Sequence, residues 1–330
     1  MLDASTAAQP SRVSLVRPTF SVVVPVFDEA EGIEQFHGRL AAAMQTLAGS
    51  WEAVYVNDGS RDASLSVLER LRRADGRVAL VNLSRNFGKE VATTAGLDHA
   101  TGEAVIVIDA DLQDPPEVIP ELVAAWRAGF DMVFAQRRVR AGESWLKKLS
   151  ADLFYRLMQS LGEVDMPRNA GDFRLMSRRA VEALLRLREQ HRFMKGLFAW
   201  VGFPATAVPY DRAPRAAGRS KWSYWRLWNL ALEGITSYTV MPLKVATYLG
   251  LIVALLAAVY GGGLIFRTLL FGNPVPGYPS LMAVVLFMGG AQLVTLGVIG
   301  EYLGRVFNET KHRPLYIVER FTPSEPASGP

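Results

Sequence analysis

Ala104-Val105-Ile106-Val107-Ile108-Asp109-Ala110-Asp111-Leu112-Gln113-Asp114-Pro115-Pro116 is the stretch that decides the fold. A short apolar run, too brief for a core helix, leads straight into two carboxylates spaced by one residue. Such a run, bounded by turn residues, reads as a buried strand. The proline pair then suits the first turn of a helix, where a missing N–H costs nothing. Working outward, residues 20–26, 53–56, 78–83 and 132–135 are further short apolar runs. Residues 31–47, 64–74, 89–100 and 116–128 between them carry helical periodicity. Strands alternating with helices predict an α/β fold, a mainly parallel sheet with helices on both faces. Ligands of such sheets sit beyond the C-terminal strand ends. Those ends are where Asp28, Glu29, Asp58, Asp109 and Asp111 fall.

Composition narrows the chemistry. The chain has 330 residues, half of them hydrophobic and 21% charged, which excludes a disordered polymer. Cysteine is absent, so disulfides, Cys-ligated metals and thiol nucleophiles are excluded together. The four histidines, His37, His99, His191 and His312, have no metal-pair spacing. The first strand ends in Val26-Phe27-Asp28-Glu29-Ala30-Glu31-Gly32, without the glycines of a Rossmann dinucleotide site. A phosphate-cradling G-x-x-x-x-G-K-[ST] loop is absent as well. A net charge of +4 suits nucleic acid, an anionic membrane or phosphorylated ligands. Carboxylates two residues apart at a strand end can share a hard divalent cation that keeps places for phosphate oxygens.

The C-terminal third differs from the rest. Residues 245–266 and 281–300 carry no charge, and each is long enough to cross a hydrocarbon layer of about 30 Å. Arg219, Lys221, Arg226 and Lys244 precede the first run, and Arg305, Lys311, Arg313 and Arg320 follow the second. The connection at 272–279 has neither Lys nor Arg, although Arg267 lies at that end. By the positive-inside rule the pair is a two-span hairpin over 243–307 with both termini cytoplasmic. Small residues at Gly261-Gly262-Gly263 and Gly289-Gly290-Ala291 permit close helix contact. Residues 144–161 and the Trp-rich 221–242 read as interfacial helices at the bilayer surface. Residues 1–18 are expected to be disordered, 19–220 to form the catalytic domain, and 308–330 to be a tail. In that tail Pro314-Leu315-Tyr316-Ile317-Val318 is expected to be a short strand that pairs with a neighbouring subunit, and the chain after Arg320 to be unstructured.

With these motifs in place, the chain resembles glycosyltransferase family 2, which has the GT-A fold. The runs that carry the resemblance are Val22-Val23-Val24-Pro25-Val26-Phe27-Asp28-Glu29, Val56-Asn57-Asp58-Gly59-Ser60-Arg61-Asp62, and the Asp109 to Pro116 stretch. Within the family it resembles the polyprenyl-phosphate transferases of the bactoprenol glucosyltransferase type. That narrower likeness rests on Arg85-Asn86-Phe87-Gly88-Lys89-Glu90, Gly171-Asp172-Phe173-Arg174, Gly218-Arg219-Ser220-Lys221-Trp222 and the paired apolar segments. The resemblance implies inverting transfer of a sugar, glucose first, from a UDP-sugar to undecaprenyl phosphate. It implies that Pro25, Phe27, Asp28, Glu29, Asp58, Lys89, Asp109 and Ala110 hold the nucleotide. It implies that Asp109, Asp111 and Gln113 bind Mg²⁺ or Mn²⁺ and that Asp172 is the catalytic carboxylate. Arg138, Arg174, Arg219, Ser220 and Lys221 would face phosphates, with Arg137 and Arg140 competing for the role of Arg138. A homotetramer at a bacterial inner membrane is implied too.

Rival readings remain open at this point. Another donor, such as GDP-mannose, UDP-N-acetylglucosamine or a UDP-aminoarabinose derivative, would use the same motifs. A processive polysaccharide synthase would carry Gln-x-x-Arg-Trp, which is missing. A non-catalytic membrane scaffold or lipid carrier has no use for the D-x-D and Asp172. Nucleic acid is not expected as a partner, because no RNA or DNA motif occurs and the basic residues gather near the apolar segments.

Overall fold

A computed structural model describes residues 18–138, 170–190, 192, 194–211, 241–271 and 277–325. The predicted alternation is present. Strand β1 (Phe20–Val26) leads to helix α1 (Ile33–Gln45), β2 (Trp51–Asn57) to α2 (Ser64–Ala74), and β3 (Val78–Leu83) to α3 (Lys89–His99). Then come β4 (Ala104–Val107), α4 (Ile119–Arg127) and β5 (Met132–Arg137). Strands β1, β2 and β3 pair in parallel, and β4 pairs in parallel with the other side of β1. The strand order therefore reverses at β1, which opens a crevice beyond the ends of β1, β2 and β4.

Side chains alternate across the sheet as the pleat requires. Val22 and Val24 join one core with Phe36, Leu40 and Tyr55. Val23 joins the other with Ala92, Ala95 and Leu97 of α3. Helix α3 lies so close to the sheet that a Cβ on Gly96 would sit 2.3 Å from Val23 Cγ1. Burying both faces explains why these strands read as continuous apolar runs.

Two strands carry no such run. β6 (Ala170–Ser177) inserts antiparallel between β4 and β5, and β7 (Ala205–Tyr210) pairs in parallel with the far side of β5. Helices α5 (Arg178–Leu185) and α6 (Met194–Trp200) separate them. A short strand, β8 (Val318–Thr322), completes the eight-stranded mixed sheet, in order β7-β5-β6-β4-β1-β2-β3-β8. Its position corrects two expectations. The strand starts at Val318 rather than Pro314, and it pairs antiparallel with β3 of the same chain. The chain beyond Arg320 is also structured: Phe321 and Thr322 continue the ladder, and Glu325 N donates to Gly76 O. The cause is the open edge of β3, whose unpaired N–H and C=O groups accept any nearby strand.

Helices α7 (Met241–Phe271) and α8 (Tyr278–Thr310) form the C-terminal pair. Large apolar side chains along both are exposed, among them Leu251, Leu255, Val259, Leu293 and Val294. Some side chains of the two helices are not described. Among the described residues, no helix is long and apolar enough to cross a membrane. The expected disordered start (1–17 of it), the interfacial helix at 144–161, residues 221–240 of the second one, and Arg140, Arg219, Ser220 and Lys221 lie outside the described residues.

Candidate active site

The crevice is framed by three loops. Pro25 lies near the end of β1, and the loop after β1 carries Phe27, Asp28 and Glu29. Phe27 is more than one-third exposed and offers an aromatic face at the mouth. Asp28 has a positive φ of 54°, a left-handed geometry that a non-glycine residue adopts at a cost. It is fixed there from the loop after β2. Asp28 N donates to Ser60 Oγ at 3.1 Å, and Arg61 N donates to Asp28 Oδ1 at 2.8 Å. Glu29 N similarly donates to Ser64 Oγ at 3.0 Å.

Asp58 occupies a different position from an open ligand group. It is buried, and its two oxygens accept from Phe87 N at 2.7 Å and Gly88 N at 2.9 Å. Burial pushes its pKa up, against the pull of those two backbone N–H groups and Arg85. Its structural action is to hold the turn before α3. Gly59 is required beside it, because a Cβ there would lie 2.4 Å from the carbonyl carbon of Arg85, at a φ of +62°.

That turn delivers Lys89, the first residue of α3, to the centre. Lys89 Nζ donates to Asp109 Oδ2 at 2.7 Å and to Asp172 Oδ2 at 2.5 Å. Three residues far apart in sequence thus meet at one point. Burial works against the Lys89 charge, but Asp109 and Asp172 outweigh it and raise the pKa. Burial equally opposes ionisation of Asp172. Lys89 and Lys195, with the Lys89 hydrogen bond and Arg174, win and hold its carboxyl well below the usual range. Asp109 moves the other way: desolvation raises it, against the relief from Lys89. Asp172 Oδ1 is buried and has no hydrogen-bond partner among the described residues. An unpartnered buried oxygen of a charged carboxylate is costly, and it marks where a ligand group would bind.

Asp111 is partly exposed one residue beyond Ala110, and its Oδ1 accepts from Gln113 N at 3.0 Å. Leu112 between them has φ 59°, the second strained residue at the rim. Gln113 is buried and its Nε2 has no hydrogen-bond partner among the described residues. Among the described residues no group of three or more His, Asp or Glu side chains gathers as a ready cation cage. A pair of hard carboxylate oxygens at a crevice is nevertheless what Mg²⁺ uses alongside substrate phosphates. Asp109 and Asp111 fit that demand.

Two arginines differ from expectation. Arg174, expected to face a phosphate, is buried behind Asp172. It donates to the Asp172 carbonyl at 3.2 Å and the Gly171 carbonyl at 2.7 Å, and its guanidinium carbon lies 3.5 Å from the Phe198 ring centroid. Burial lowers its pKa to about 10. The alternation of β6 explains this: Phe173 and Leu175 face one core, so Arg174 must face the other side of the sheet. Arg138 pairs with the exposed Asp211 at 3.1 Å. Arg137 is the one aimed inward. Its Nε donates to Tyr210 Oη at 3.2 Å, and its Nη2 lies 3.4 Å from where a Cβ on Gly171 would sit. Tyr210 Oη in turn donates to the buried Asp114.

Glu90, next to Lys89, is a site residue that no sequence motif assigned a role. Its Oε2 accepts from Met194 N, which starts α6, at 3.2 Å. Burial and the charge of Asp172 push its pKa up to about 7, against Lys89, the Met194 hydrogen bond and Lys195.

The chain is similar to known proteins. Residues 21–185 match the family described as Glycosyl transferase family 2, and residues 241–306 match the GtrB C-terminal hairpin. An uncharacterized glycosyltransferase of Synechocystis is 53% identical over 90% of this chain and 94% of its own. The bactoprenol glucosyl transferase of Shigella phage SfV is 50% identical over 91% of this chain and 97% of its own. Among solved structures, glucosyl-3-phosphoglycerate synthase of Mycobacterium tuberculosis with Mn²⁺, UDP and phosphoglyceric acid aligns at a TM-score of 0.48 and 20% identity, over 66% of this chain and 76% of that one.

Proposed function

The chain belongs to glycosyl transferase family 2, and we propose that it transfers glucose from UDP-glucose to a polyprenyl phosphate such as undecaprenyl phosphate. The observation that carries the acceptor and sugar is the half-identity, over nearly the whole chain, to a bactoprenol glucosyl transferase. The meeting of Lys89, Asp109 and Asp172 at the crevice is the chemical counterpart.

In the reaction a phosphate oxygen of the acceptor attacks the anomeric carbon. The bond from that carbon to the diphosphate breaks, and its electron pair leaves with UDP. A lipid monophosphate has a second pKa near 6, so its attacking oxygen is already ionised at neutral pH. Asp172, held below the usual carboxylate range, is then a poor base. It acts by placing a negative charge beside the sugar, where positive charge develops. Arg174 fixes its backbone from behind. Arg137, steadied by Tyr210 and Asp114, presents a guanidinium to a phosphate beside Gly171. Asp109 and Asp111, with Gln113 behind them, would hold Mg²⁺ or Mn²⁺, which supplies charge neutralisation for the departing diphosphate. Phe27, Asp28 and Glu29 line the nucleotide side, and Asp58 acts on the donor through the Phe87–Gly88 turn.

The same proposal places α7 and α8 in the bacterial inner membrane as a hairpin, with the catalytic domain cytoplasmic and the protein a homotetramer. Support comes from the exposed aliphatic residues of both helices, the match to a hairpin family and the flanking Lys and Arg. Arg219, Ser220 and Lys221 would then meet the lipid phosphate at the surface.

The test offers labelled UDP-glucose, UDP-N-acetylglucosamine, UDP-galactose and GDP-mannose separately to detergent-purified chain with undecaprenyl phosphate and Mg²⁺. Label enters the lipid from UDP-glucose and is lost with EDTA. Transfer from another donor alone would remove the glucosyl assignment.

A further inference from the structure

Asn57 and Asn82 face each other across the parallel strands β2 and β3, and both are buried. Buried amides need partners, and the direction of each amide matters, because one end donates and the other accepts. Asn57 Nδ2 donates to Asn82 Oδ1 at 2.7 Å. Asn82 Nδ2 donates to Glu319 Oε2 of β8, also at 2.7 Å. At the opposite end, Asn57 Oδ1 accepts from Ser60 N at 3.4 Å, and Ser60 Oγ accepts from Asp28 N. One line of hydrogen bonds thus runs from the C-terminal strand, across two strands, to both loops of the nucleotide side.

The carboxylate sets the direction of the whole line. The Glu319 carboxylate oxygen accepts, so Asn82 turns Nδ2 toward it and Oδ1 toward Asn57. Asn57 must then turn Nδ2 toward Asn82, which leaves Oδ1 for the Ser60 N–H. With Glu319 gone, both amides can flip, and the Asn57 NH₂ would confront another donor at Ser60.

We propose that Glu319 is a positioning residue of the donor site: by orienting the Asn82–Asn57 amide pair, it fixes the Asp58-Gly59-Ser60 turn for nucleotide binding. The inference rests on the donor reading above. It makes the strand after the hairpin part of the donor pocket's support.

The test is UDP affinity, measured by titration calorimetry with Mg²⁺ on the full chain in detergent. Glu319→Ala weakens UDP binding by about three- to tenfold, the size of one partly buried hydrogen bond. Glu319→Gln, which can still accept, binds near the wild-type affinity. Glu319→Lys, which can only donate, binds weakest. Arg320→Ala breaks the Arg320–Glu69 ion pair of the same strand without touching the amide line, and keeps wild-type affinity. Unchanged affinity in Glu319→Ala would overturn the proposal, as would equal weakening by Glu319→Ala and Arg320→Ala, which would mean that strand docking alone matters. The Gln and Lys variants carry the decision if the Ala variant fails to fold. A wild-type chain that binds GDP and not UDP would remove the donor reading instead, and the same variants titrated with GDP then decide this one.

Discussion

Val22, Val23 and Val24 of β1 are fully buried, whereas Leu251, Leu255 and Val259 of α7 are 66%, 65% and 69% exposed. These are residues of one chemistry in opposite surroundings. The sheet makes its own apolar interior from helices on both faces. Among its described residues the helix pair leaves most large apolar side chains exposed. Stability in the first region is therefore internal, whereas the exposed apolar side chains of the second add little burial to it. The charged centre belongs to the first region: its ion pairs stand on rigid strand ends.

The largest effect is expected at that centre. Asp109→Asn should cut transfer by about a hundred- to a thousandfold while leaving detergent extraction and elution volume unchanged. Loss of both together would show that the two regions are not separable. Next comes a matched pair. Ile106→Ala, in β4, should cost about 2–5 kcal/mol, because it leaves a cavity in a packed core. Leu255→Ala, in α7, should cost far less by thermal unfolding in the same detergent. Equal costs would break the comparison.

Smaller still is a pH effect. Glu90 has a folded pKa raised to about 7 from an ordinary 4.5. The folded state then holds the proton more tightly than the unfolded state, so stability is lost as pH rises from about 4.5 through 7. Glu90→Gln keeps an acceptor for Met194 N–H without the charge. Its apparent Tm should exceed wild type at pH 8 and converge with it near pH 5. The smallest shift is expected at His37, whose Nδ1 is 2.9 Å from Tyr55 Oη and Nε2 3.2 Å from Asp75. Burial lowers its pKa, against Asp75, and Arg77 lowers it further. Its contribution is present above pH 6.5 and is lost as pH falls through the lowered value. His37→Phe should therefore flatten part of the acid limb of a Tm–pH curve and leave the alkaline limb alone.

The two regions also differ in how legible they were in the sequence. β1 to β4 are apolar on both faces, so their positions were plain, as was Asp109-Ala110-Asp111 at a strand end. β6 was not, because its core positions alternate with Gly171, Asp172 and a buried Arg174 whose charge rests on Phe198 and two carbonyls. The bridging of Asp109 and Asp172 by Lys89 depends on contacts across 20 and 83 residues of chain, beyond any local pattern. The same holds for Asp58, whose oxygens are taken by a turn 29 and 30 residues on. Arg137 and Arg138 are adjacent and chemically alike, and only the pleat of β5 decides which one points inward.

Asn82 waits for Glu319 across 237 residues. At a synthesis rate of roughly 5–20 residues per second, the edge of β3 stays open for about ten to fifty seconds while the rest of the chain is made. During that time both C-terminal helices must leave the ribosome before the final strand can close the sheet. Completion of the donor side is thereby tied to synthesis of this late strand, so a chain truncated after its helices would carry an unfinished sheet edge open to pairing with other chains.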